Sequence, residues 1–288
     1  MTTKFKLIKR VHVNKSHHMD NIPKPNNEYV IVHKQISNKP ECTILLPVYN
    51  NKDDILNAIN SVINQTFKNW ELIIIDDCST DGTYDVVDNF IRNNTMYNIR
   101  LIKNEKNQGT YVSLNEGLRI AKGEYIARID SDDVYAKNML DEHIKILNNH
   151  NNIIATQSQY VREGEEKKYG EITIVYRKRV INEIGYYDSV RFGADTEFMT
   201  RLKKKYGNPK IHRIDKVLYY AKQRPHSLTT SNATGINGEG GELRKIYLQN
   251  YTHWHKQCRF YIPYPLETRP FYAPERMLPD RKIEESIK

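Results

Sequence analysis

Four short apolar segments alternate with helix-like segments in the first half of the chain, and this alternation constrains the fold more than any other feature. The apolar segments cover residues 42–48, 71–75, 99–102 and 124–129. Each has the length and the β-branched content of a buried strand. Between them, apolar residues recur at helical spacing, as at Ile55, Ile59 and Val62. Strands that alternate with helices predict an α/β fold, with a doubly wound, Rossmann-like and mostly parallel sheet flanked by helices.

Polar clusters follow three of these predicted strands. They are Tyr49 with Asn50, Asp76 with Asp77, and the segment at residues 130–133. Ligands of a doubly wound sheet bind outside the carboxyl ends of its strands. Because three unrelated turns would not be expected to place their polar groups on one edge, the clusters predict a ligand site there.

The last of these clusters gathers three carboxylates, those of Asp130, Asp132 and Asp133. Their charges repel one another unless a cation lies among them. Carboxylate oxygens suit Mg²⁺ or Mn²⁺, and Mg²⁺ binds one or two carboxylates and completes its shell with water and substrate phosphates. The alternative is a solvated turn, because Asp is a common turn residue.

Four segments resemble the ordered motifs of family 2 glycosyltransferases with the GT-A fold. They are Pro-Val-Tyr-Asn at 47–50, Asp-Asp-Cys-Ser-Thr-Asp-Gly-Thr at 76–83, Asn-Gln-Gly at 107–109 and Asp-Ser-Asp-Asp at 130–133. The similarity runs from about residue 41 to about residue 230. It implies a GT-A fold and a nucleotide-sugar-dependent transfer with inversion of anomeric configuration.

The resemblance also implies roles on the donor side of the site. Asp77 matches the position whose carboxylate accepts from the ring N–H of the base, which selects a uracil-like edge and therefore a UDP-sugar. Pro47, Tyr49 and Asn50 match the segment that lines the base and the ribose. Asp76 is either part of this nucleotide site or a turn or helix-capping residue.

The Asp-x-Asp of the family matches Asp130 and Asp132, which are therefore expected to contact the ribose and to hold Mn²⁺ or Mg²⁺ on the diphosphate. Asp133 is adjacent and is included as a metal ligand. In the family the metal acts as a Lewis acid that stabilises the leaving nucleoside diphosphate.

The second half of the chain supplies a candidate base. Asp195 matches the family's catalytic aspartate, which takes the proton from the acceptor hydroxyl. Ala194 stands where the family usually has an acid, so the motif is incomplete, and Glu197 is the alternative base. Apart from the resemblance, an aspartate before a helix pattern is an ordinary N-cap.

A basic segment follows the last predicted core strand. Lys222 and Arg224 are predicted to neutralise the charge of the diphosphate, although a basic surface loop would look the same. His226 directly precedes Ser227, without the spacer usual in the family, and this leaves open whether His226 reaches the metal.

Together these features predict a hexosyl- or N-acetylhexosaminyltransferase that acts on a glycan, a protein or a lipid-linked hydroxyl acceptor. A sugar nucleotidyltransferase is one alternative, but it would normally have a glycine-rich, basic loop after the first strand, where this chain has Tyr-Asn-Asn-Lys-Asp. The other alternative is a non-catalytic protein of the same fold that binds a glycan or an anionic polymer.

The chain is predicted to comprise a basic N-terminal extension, a GT-A domain and a C-terminal extension with a glycine-rich loop, a helix and aromatic residues. The boundaries are 1–40, 41–235 and 236–288, with a nucleotide-binding half at 41–135 and an acceptor-side half at 136–235.

The N-terminal extension has eight Lys or Arg and two acidic residues, and so carries +6 of the net charge of +9. It either contacts an anionic partner or packs a strand at residues 29–32 against the domain. The second interpretation is favoured because the extension lacks Gly- or Arg-rich repeats, and a nucleic acid partner is not predicted.

No apolar run approaches the roughly 20 residues of a membrane span, and the first residues lack the apolar stretch of a signal peptide. The three cysteines, Cys42, Cys78 and Cys258, have neither metal nor disulfide spacing. We therefore expect a cytoplasmic enzyme without a transmembrane segment. The sequence does not predict its oligomeric state.

Overall fold

The computed structural model describes residues 30–32, 39–223 and 231–279. Within these ranges the strands are β1 (Val30–Val32), β2 (Cys42–Val48), β3 (Trp70–Asp76), β4 (Ile99–Lys103), β5 (Tyr125–Arg128), β6 (Val134–Tyr135), β7 (Ala155–Arg162), β8 (Lys168–Arg177) and β9 (Ile211–Ala221). The helices are α1 (Ile55–Ile63), α2 (Thr83–Asn93), α3 (Thr110–Ile120), α4 (Met139–Asn149), α5 (Arg179–Ile184), α6 (Ala194–Tyr206) and α7 (Glu239–His255). Among the residues described, no helix is both long and apolar enough to cross a bilayer.

The described strands form one sheet in the order β1-β4-β3-β2-β5-β8-β7-β9-β6. The four strands predicted from the alternation, β4, β3, β2 and β5, are parallel neighbours, as expected. Beyond β5 the sheet is mixed, because β5 with β8, β7 with β8, and β6 with β9 pair antiparallel. In the parallel part, Val48 lies opposite Asp76, so the carboxyl ends of β2 and β3 meet at one edge.

A short strand from the N-terminal extension covers the β4 edge of the sheet. β1 pairs antiparallel with β4, and Val30 lies opposite Ile102. The predicted strand at residues 29–32 is therefore present and lies against the main sheet. The rest of the extension up to residue 38 lies outside the described residues.

Helices cover both faces of the sheet. α1, α2 and α4 share one buried apolar cluster with the sheet, and α3, α5, α6 and α7 share the other. The predicted apolar residues of α1, Ile55, Ile59 and Val62, are all 0% exposed. Full burial of such a side chain contributes about 1.5–3 kcal/mol, so packing on both faces fixes the strands whose ends carry the polar clusters.

The glycine-rich segment at residues 235–241 differs from the prediction, because α7 begins within it at Glu239. A Cβ on Gly240 would come within 2.3 Å of the carbonyl carbon of Thr234. The glycine therefore lets the start of the helix lie against the preceding turn, and the prediction of a loop is wrong for residues 239–241. The predicted aromatic helix face is present, and Tyr247, Tyr251 and Trp254 are buried.

Candidate active site

The polar clusters after β2, β3 and β5 lie together at one edge of the sheet. Asn50 joins the first two loops, because its N–H donates to Ser79 Oγ at 2.9 Å and its Oδ1 accepts from the Thr80 N–H at 2.8 Å. Asn51 joins the first and third loops through a bond of 3.0 Å from its Nδ2 to Ser131 Oγ. The three loops that the sequence singled out therefore form one continuous surface.

Tyr49, Asn50 and Pro47 have different surroundings in this surface. Asn50 adopts a φ of +48°, in the left-handed region that Asn tolerates better than most residues. Tyr49 is 50% exposed, so its ring is accessible to a base or a ribose. Pro47 is buried inside β2, opposite Ile75.

Asp77 is 3% exposed, and its carboxylate anchors the loop before α3. Oδ1 accepts from Asn104 Nδ2 at 2.8 Å and from the Gln108 N–H at 3.0 Å, and Oδ2 accepts from the Gly109 N–H at 2.7 Å. A carboxylate has about four acceptor sites, so protein donors take up most of its capacity. This anchoring role was not evident from the sequence.

Asp76 acts as a turn residue. It is 0% exposed, and its Oδ1 accepts from the Ser79 N–H at 3.3 Å. Burial raises the pKa of its carboxyl, while the bonds from Ser79 and the charge of Lys103 oppose that rise. The geometry favours the turn interpretation over a direct contact with a nucleotide.

Asp130 is held by an arginine that the sequence interpretation missed. Arg128, the last residue of β5, donates from Nη2 to Asp130 Oδ1 at 3.0 Å and to Oδ2 at 3.3 Å. Burial lowers the pKa of Arg128, but the charges of Asp130, Tyr111 and Asp195 outweigh burial and leave this pKa well above its ordinary value. A signal was available, because a charged residue within a buried strand needs a partner.

Asp133 is buried and faces protein donors. Its Oδ2 accepts from Tyr219 Oη at 2.7 Å, and its Oδ1 accepts from the Lys222 N–H at 2.8 Å. Burial, together with the charges of Asp130 and Asp132, raises the pKa of Asp133 to about 8. Asp132, in contrast, lines an open groove of about 850 Å³.

The three aspartates do not converge as a preformed metal site. Among the described residues, no group of three His, Cys, Asp or Glu side chains is arranged to hold a metal ion. The charges of Asp130 and Asp132 nevertheless contribute to the high pKa of Asp133, which indicates negative charge that a cation would neutralise. Two carboxylates completed by a diphosphate suit Mg²⁺ or Mn²⁺. Asp130, whose side chain is 33% exposed, and Asp132, which lines the open groove, therefore fit a divalent cation better than the buried Asp133.

Lys222 lies at this edge and pairs with another side chain of the protein. Its Nζ donates to Asp54 Oδ1 at 2.8 Å and to Oδ2 at 2.9 Å. Asp54 occupies the N-cap position of α1 but makes no side-chain capping bond. Arg224 and His226 lie outside the described residues.

Asp195 lies in the first turn of α6 and is not its N-cap, which is Gly193 with a φ of +89°. Its Oδ1 accepts from the Thr196 N–H at 2.8 Å, so Asp195 satisfies one backbone donor of the first turn without being the N-cap. The buried Tyr111 hydroxyl is next to Asp195, since burial first and the Asp195 charge second raise the pKa of Tyr111. The charge of Asp195 also acts on Arg128. The charges of Asp130 and Asp195 therefore both act on Arg128.

Glu197 is not available as a base. It is 0% exposed, and its Oε1 accepts from Arg201 Nε at 2.9 Å and lies 3.0 Å from His255 Nε2. Its Oε2 accepts from Arg201 Nη2 at 2.9 Å. This buried group joins α6 to α7 and leaves Asp195 as the partly exposed carboxylate in the first turn of α6.

The C-terminal extension fastens the loop before α6, and the sequence did not indicate this. Asp188 is 0% exposed and accepts from Tyr247 Oη at 2.9 Å and from Arg269 Nη1. Arg269 Nη2 also donates to the Ser189 carbonyl at 2.9 Å. Side chains from α7 and from the segment after it therefore hold the chain that leads to Asp195.

Arg191 joins this loop to the donor side. Its N–H donates to the Met277 carbonyl at 2.7 Å, and its Nη2 donates to the Pro279 carbonyl at 2.6 Å. Its Nη1 donates to Asn107 Oδ1 at 2.7 Å. Gly109 has a φ of +91°, and a Cβ there would come within 3.3 Å of Arg191 Cα. The close contact of the two loops therefore depends on this glycine.

Two solved structures share the architecture. One is S. aureus TarS 1–349 in complex with UDP, with a TM-score of 0.56 and 24% identity over 64% of this chain and 61% of that chain. The other is the mannosyltransferase PcManGT from Pyrobaculum calidifontis in complex with GDP-Man and Mn²⁺, with a TM-score of 0.59 and 16% identity over 83% of this chain and 67% of that chain. At these identities the similarity concerns the fold, which is of the GT-A type.

Curated relatives match a shorter region. TuaG of Bacillus subtilis, a glycosyltransferase assigned to teichuronic acid biosynthesis, is 37% identical over 109 residues, or 38% of this chain and 42% of TuaG. An uncharacterized glycosyltransferase of Haemophilus influenzae is 36% identical over 124 residues, or 43% of this chain and 48% of that protein. The chain thus spans less than half the length of these relatives.

The sequence profile of glycosyl transferase family 2 matches residues 43–206, more than half of the chain. The matched range includes all three polar loops at the sheet edge as well as Asp195. The chain therefore belongs to glycosyl transferase family 2.

Proposed function

We propose that the chain is a metal-dependent transferase that moves a sugar from a UDP-sugar to a hydroxyl acceptor, with inversion at the anomeric carbon. The observation that carries this proposal is a positive charge on which two carboxylates act, since Arg128 bonds to Asp130 and the charge of Asp195 raises the pKa of Arg128. A single displacement needs one group for the leaving diphosphate and one base for the acceptor hydroxyl. Asp130 and Asp195 supply this pair.

On the donor side, the exposed ring of Tyr49 and the loop around Asn50 would contact the base and the ribose. We favour UDP because Asp77 matches the family position that reads a uracil-like edge. Asp77 would accept from the base while retaining most of its bonds to the loop before α3. TarS, which shares the fold, was solved with UDP.

Asp130 and Asp132 would hold Mn²⁺ or Mg²⁺ together with the diphosphate. When bound, the ion would supply Lewis-acid stabilisation of the leaving nucleoside diphosphate. Lys222 would add a positive charge if it exchanged Asp54 for a phosphate oxygen. PcManGT, which shares the fold, was solved with Mn²⁺.

Asp195 would take the proton of the attacking hydroxyl, a contribution that is typically about 10²–10⁴-fold in rate. A retaining double displacement would need a second carboxylate as a nucleophile. Glu197, the other carboxylate in this turn, is buried and bonded to Arg201. Its unavailability supports inversion.

The transferred unit would be a hexose or an N-acetylhexosamine, and the acceptor a glycan, a protein or a lipid-linked hydroxyl. Residues 41–235 would form the transferase domain, with donor and acceptor halves at 41–135 and 136–235. Residues 236–288 would act as an extension that supports the base.

A thermal-shift panel tests the donor and the metal together, because a ligand raises the apparent stability only when it binds the folded protein. The panel comprises UDP, GDP, UDP-GlcNAc, UDP-glucose and GDP-mannose, each with Mn²⁺ and with EDTA. We expect stabilisation by UDP and by at least one UDP-sugar with Mn²⁺, and a smaller shift with EDTA. Stabilisation by the guanine nucleotides alone would refute the UDP assignment, and full turnover in EDTA would refute the metal role.

A further inference from the structure

Arg128 is a buried guanidinium with incomplete hydrogen bonding. Its Nη2 donates to Asp130, whereas Nε and Nη1 are buried and find no hydrogen-bond acceptor within the described part of the chain. An unsatisfied buried donor costs free energy, and the cost is larger for a charged group. Such groups are rare in native proteins and call for an explanation.

Other buried arginines of this protein are better satisfied. Arg177 and Arg201 donate from all three of their nitrogens to carboxylate or carbonyl oxygens. Arg100 has one buried nitrogen, Nε, without a partner. Arg128 leaves two nitrogens, with its Cζ 5.9 Å from the centre of the Tyr111 ring. A ring at this distance stabilises the positive charge but offers no acceptor to N–H groups in the guanidinium plane.

Arg128 also borders the place where the transferred sugar is expected, and this step rests on the proposed function. In a single displacement the anomeric carbon lies between the leaving diphosphate and the acceptor hydroxyl. The first is assigned to Asp130 and the second to Asp195. Arg128 bonds to Asp130 and packs on the ring of Tyr111, whose hydroxyl interacts with Asp195, so its guanidinium would lie next to the sugar.

We propose that Arg128 determines donor specificity by donating hydrogen bonds from Nε and Nη1 to oxygen atoms of the transferred sugar. The acceptors are ring hydroxyls or the carbonyl oxygen of an N-acetyl group. Both nitrogens are covered by protein in the free enzyme, so the guanidinium turns when the donor binds. Side-chain rotamer changes of this kind are common on binding.

The test compares each nucleotide sugar with its own diphosphate. Dissociation constants for UDP, UDP-GlcNAc, GDP and GDP-mannose are measured by calorimetry with Mn²⁺, using the full chain and its Arg128→Met variant. For the nucleotide that the wild type binds, we expect the ratio of the nucleotide-sugar Kd to the diphosphate Kd to rise about tenfold or more, as expected for lost hydrogen bonds from a charged donor.

Arg128→Lys provides a second variant in case the methionine variant does not fold. Lysine keeps a charge beside Asp130 but lacks the planar fork of arginine. The Arg128→Lys variant should therefore keep much of the wild-type affinity for the diphosphate, while the ratio of the nucleotide-sugar Kd to the diphosphate Kd stays raised. The matched control is Arg100→Met, which removes another buried strand arginine, paired with Glu71, and should leave the ratio unchanged.

If Arg128 only holds Asp130 in place, both dissociation constants rise by the same factor, and this result would overturn the inference. An equal rise of the ratio in Arg100→Met would also overturn it, because the effect would then reflect general destabilisation. A wild type that binds none of the four ligands refutes the proposed function and the inference with it. Binding with an unchanged ratio in the Arg128 variants refutes the inference alone.

Discussion

The donor side and the base side of the site are built in different ways. On the donor side, each polar loop directly follows a parallel strand. The loops after β2 and β3 are held by bonds from the same part of the chain, as in Asn50 to Ser79 and Asp77 to Gly109, whereas the loop after β5 also accepts bonds from Tyr219 and Lys222. On the base side, the loop before Asp195 is held by residues far along the chain. Tyr247 and Arg269 bind Asp188 across 59 and 81 positions.

This difference shows which half of the site depends on the extension. Parallel strand pairing places the donor-side residues wherever the sheet forms. The loop before Asp195, the proposed base, is held by α7 and by the segment after it, which lie beyond the residues that match the family profile. For the loops after β2 and β3, position and support therefore come from the same part of the sequence, whereas for the loop before Asp195 they come from separate parts.

The largest expected effect separates the two sides by function. Asp195→Asn should lower kcat by about 10²–10⁴-fold, because the base is lost, while UDP affinity with Mn²⁺ stays within a few-fold. Asp132→Asn should lose turnover and also weaken Mn²⁺-dependent UDP binding. Steady-state kinetics and calorimetry measure both variants. A near-normal kcat in Asp195→Asn would show that another residue is the base.

The next effect concerns the stability of the base side. Glu197→Gln leaves Arg201 buried without its charged partner, and breaking such a pair typically costs about 3–5 kcal/mol. Urea denaturation measures the change in the free energy of unfolding. Glu239→Gln breaks the exposed pair with Arg276 and serves as the control, with an expected cost of at most about 1 kcal/mol. Equal losses in the two variants would contradict the buried role of Glu197.

A pH series tests the donor side. Burial raises the pKa of Asp133 from its ordinary value of 3.8 to about 8 in the folded protein, so between these values the folded state keeps a proton that the unfolded state has lost. The free energy of unfolding should therefore fall as pH rises through this window, by up to about 1.4 kcal/mol per pH unit. Asp133→Asn should remove this component in denaturation curves recorded with EDTA. Parallel curves for the two proteins would exclude such a titration.

The smallest effect lies where the two sides touch. Arg191→Met removes the bonds to Asn107 and Pro279 and should lower kcat/KM severalfold, because both loops lose a shared support. Asn107→Ala should give a similar but smaller loss. If the two residues act through their contact, the double variant will lose less than the product of the single losses. Fully multiplicative losses in kcat/KM would mean that the two sides are independent.

Sequence reasoning was most informative where a local pattern determines position. Apolar runs predicted the parallel strands, and their ends predicted that Asn50, Asp77 and Asp130 lie on one edge. Sequence reasoning could also have found Arg128, since it is a charged residue within the otherwise apolar strand β5. Pro47 lies within the predicted strand at 42–48 and within β2, although the resemblance assigned it to the segment that lines the base and the ribose.

Side-chain partners distant in sequence were not predictable. Lys222 pairs with Asp54 across 168 positions, and no local pattern marks that pair. The sequence does not distinguish Asp195 from Glu197, since both are carboxylates near the start of α6. In the structure, Glu197 pairs with Arg201, one helix turn later, on a buried face that α7 covers. Burial by a later segment, and not helix periodicity alone, decides which of the two carboxylates can act.

The loop before α6 is bonded to three residues of the C-terminal extension, Tyr247, Arg269 and the carbonyl of Pro279. This has a consequence for how such enzymes diversify. In a chimera that takes only residues 43–206 from a relative, the loop before α6 would lack the C-terminal residues that bind it in that relative. We therefore expect an active chimera only when the C-terminal extension is transferred together with residues 43–206.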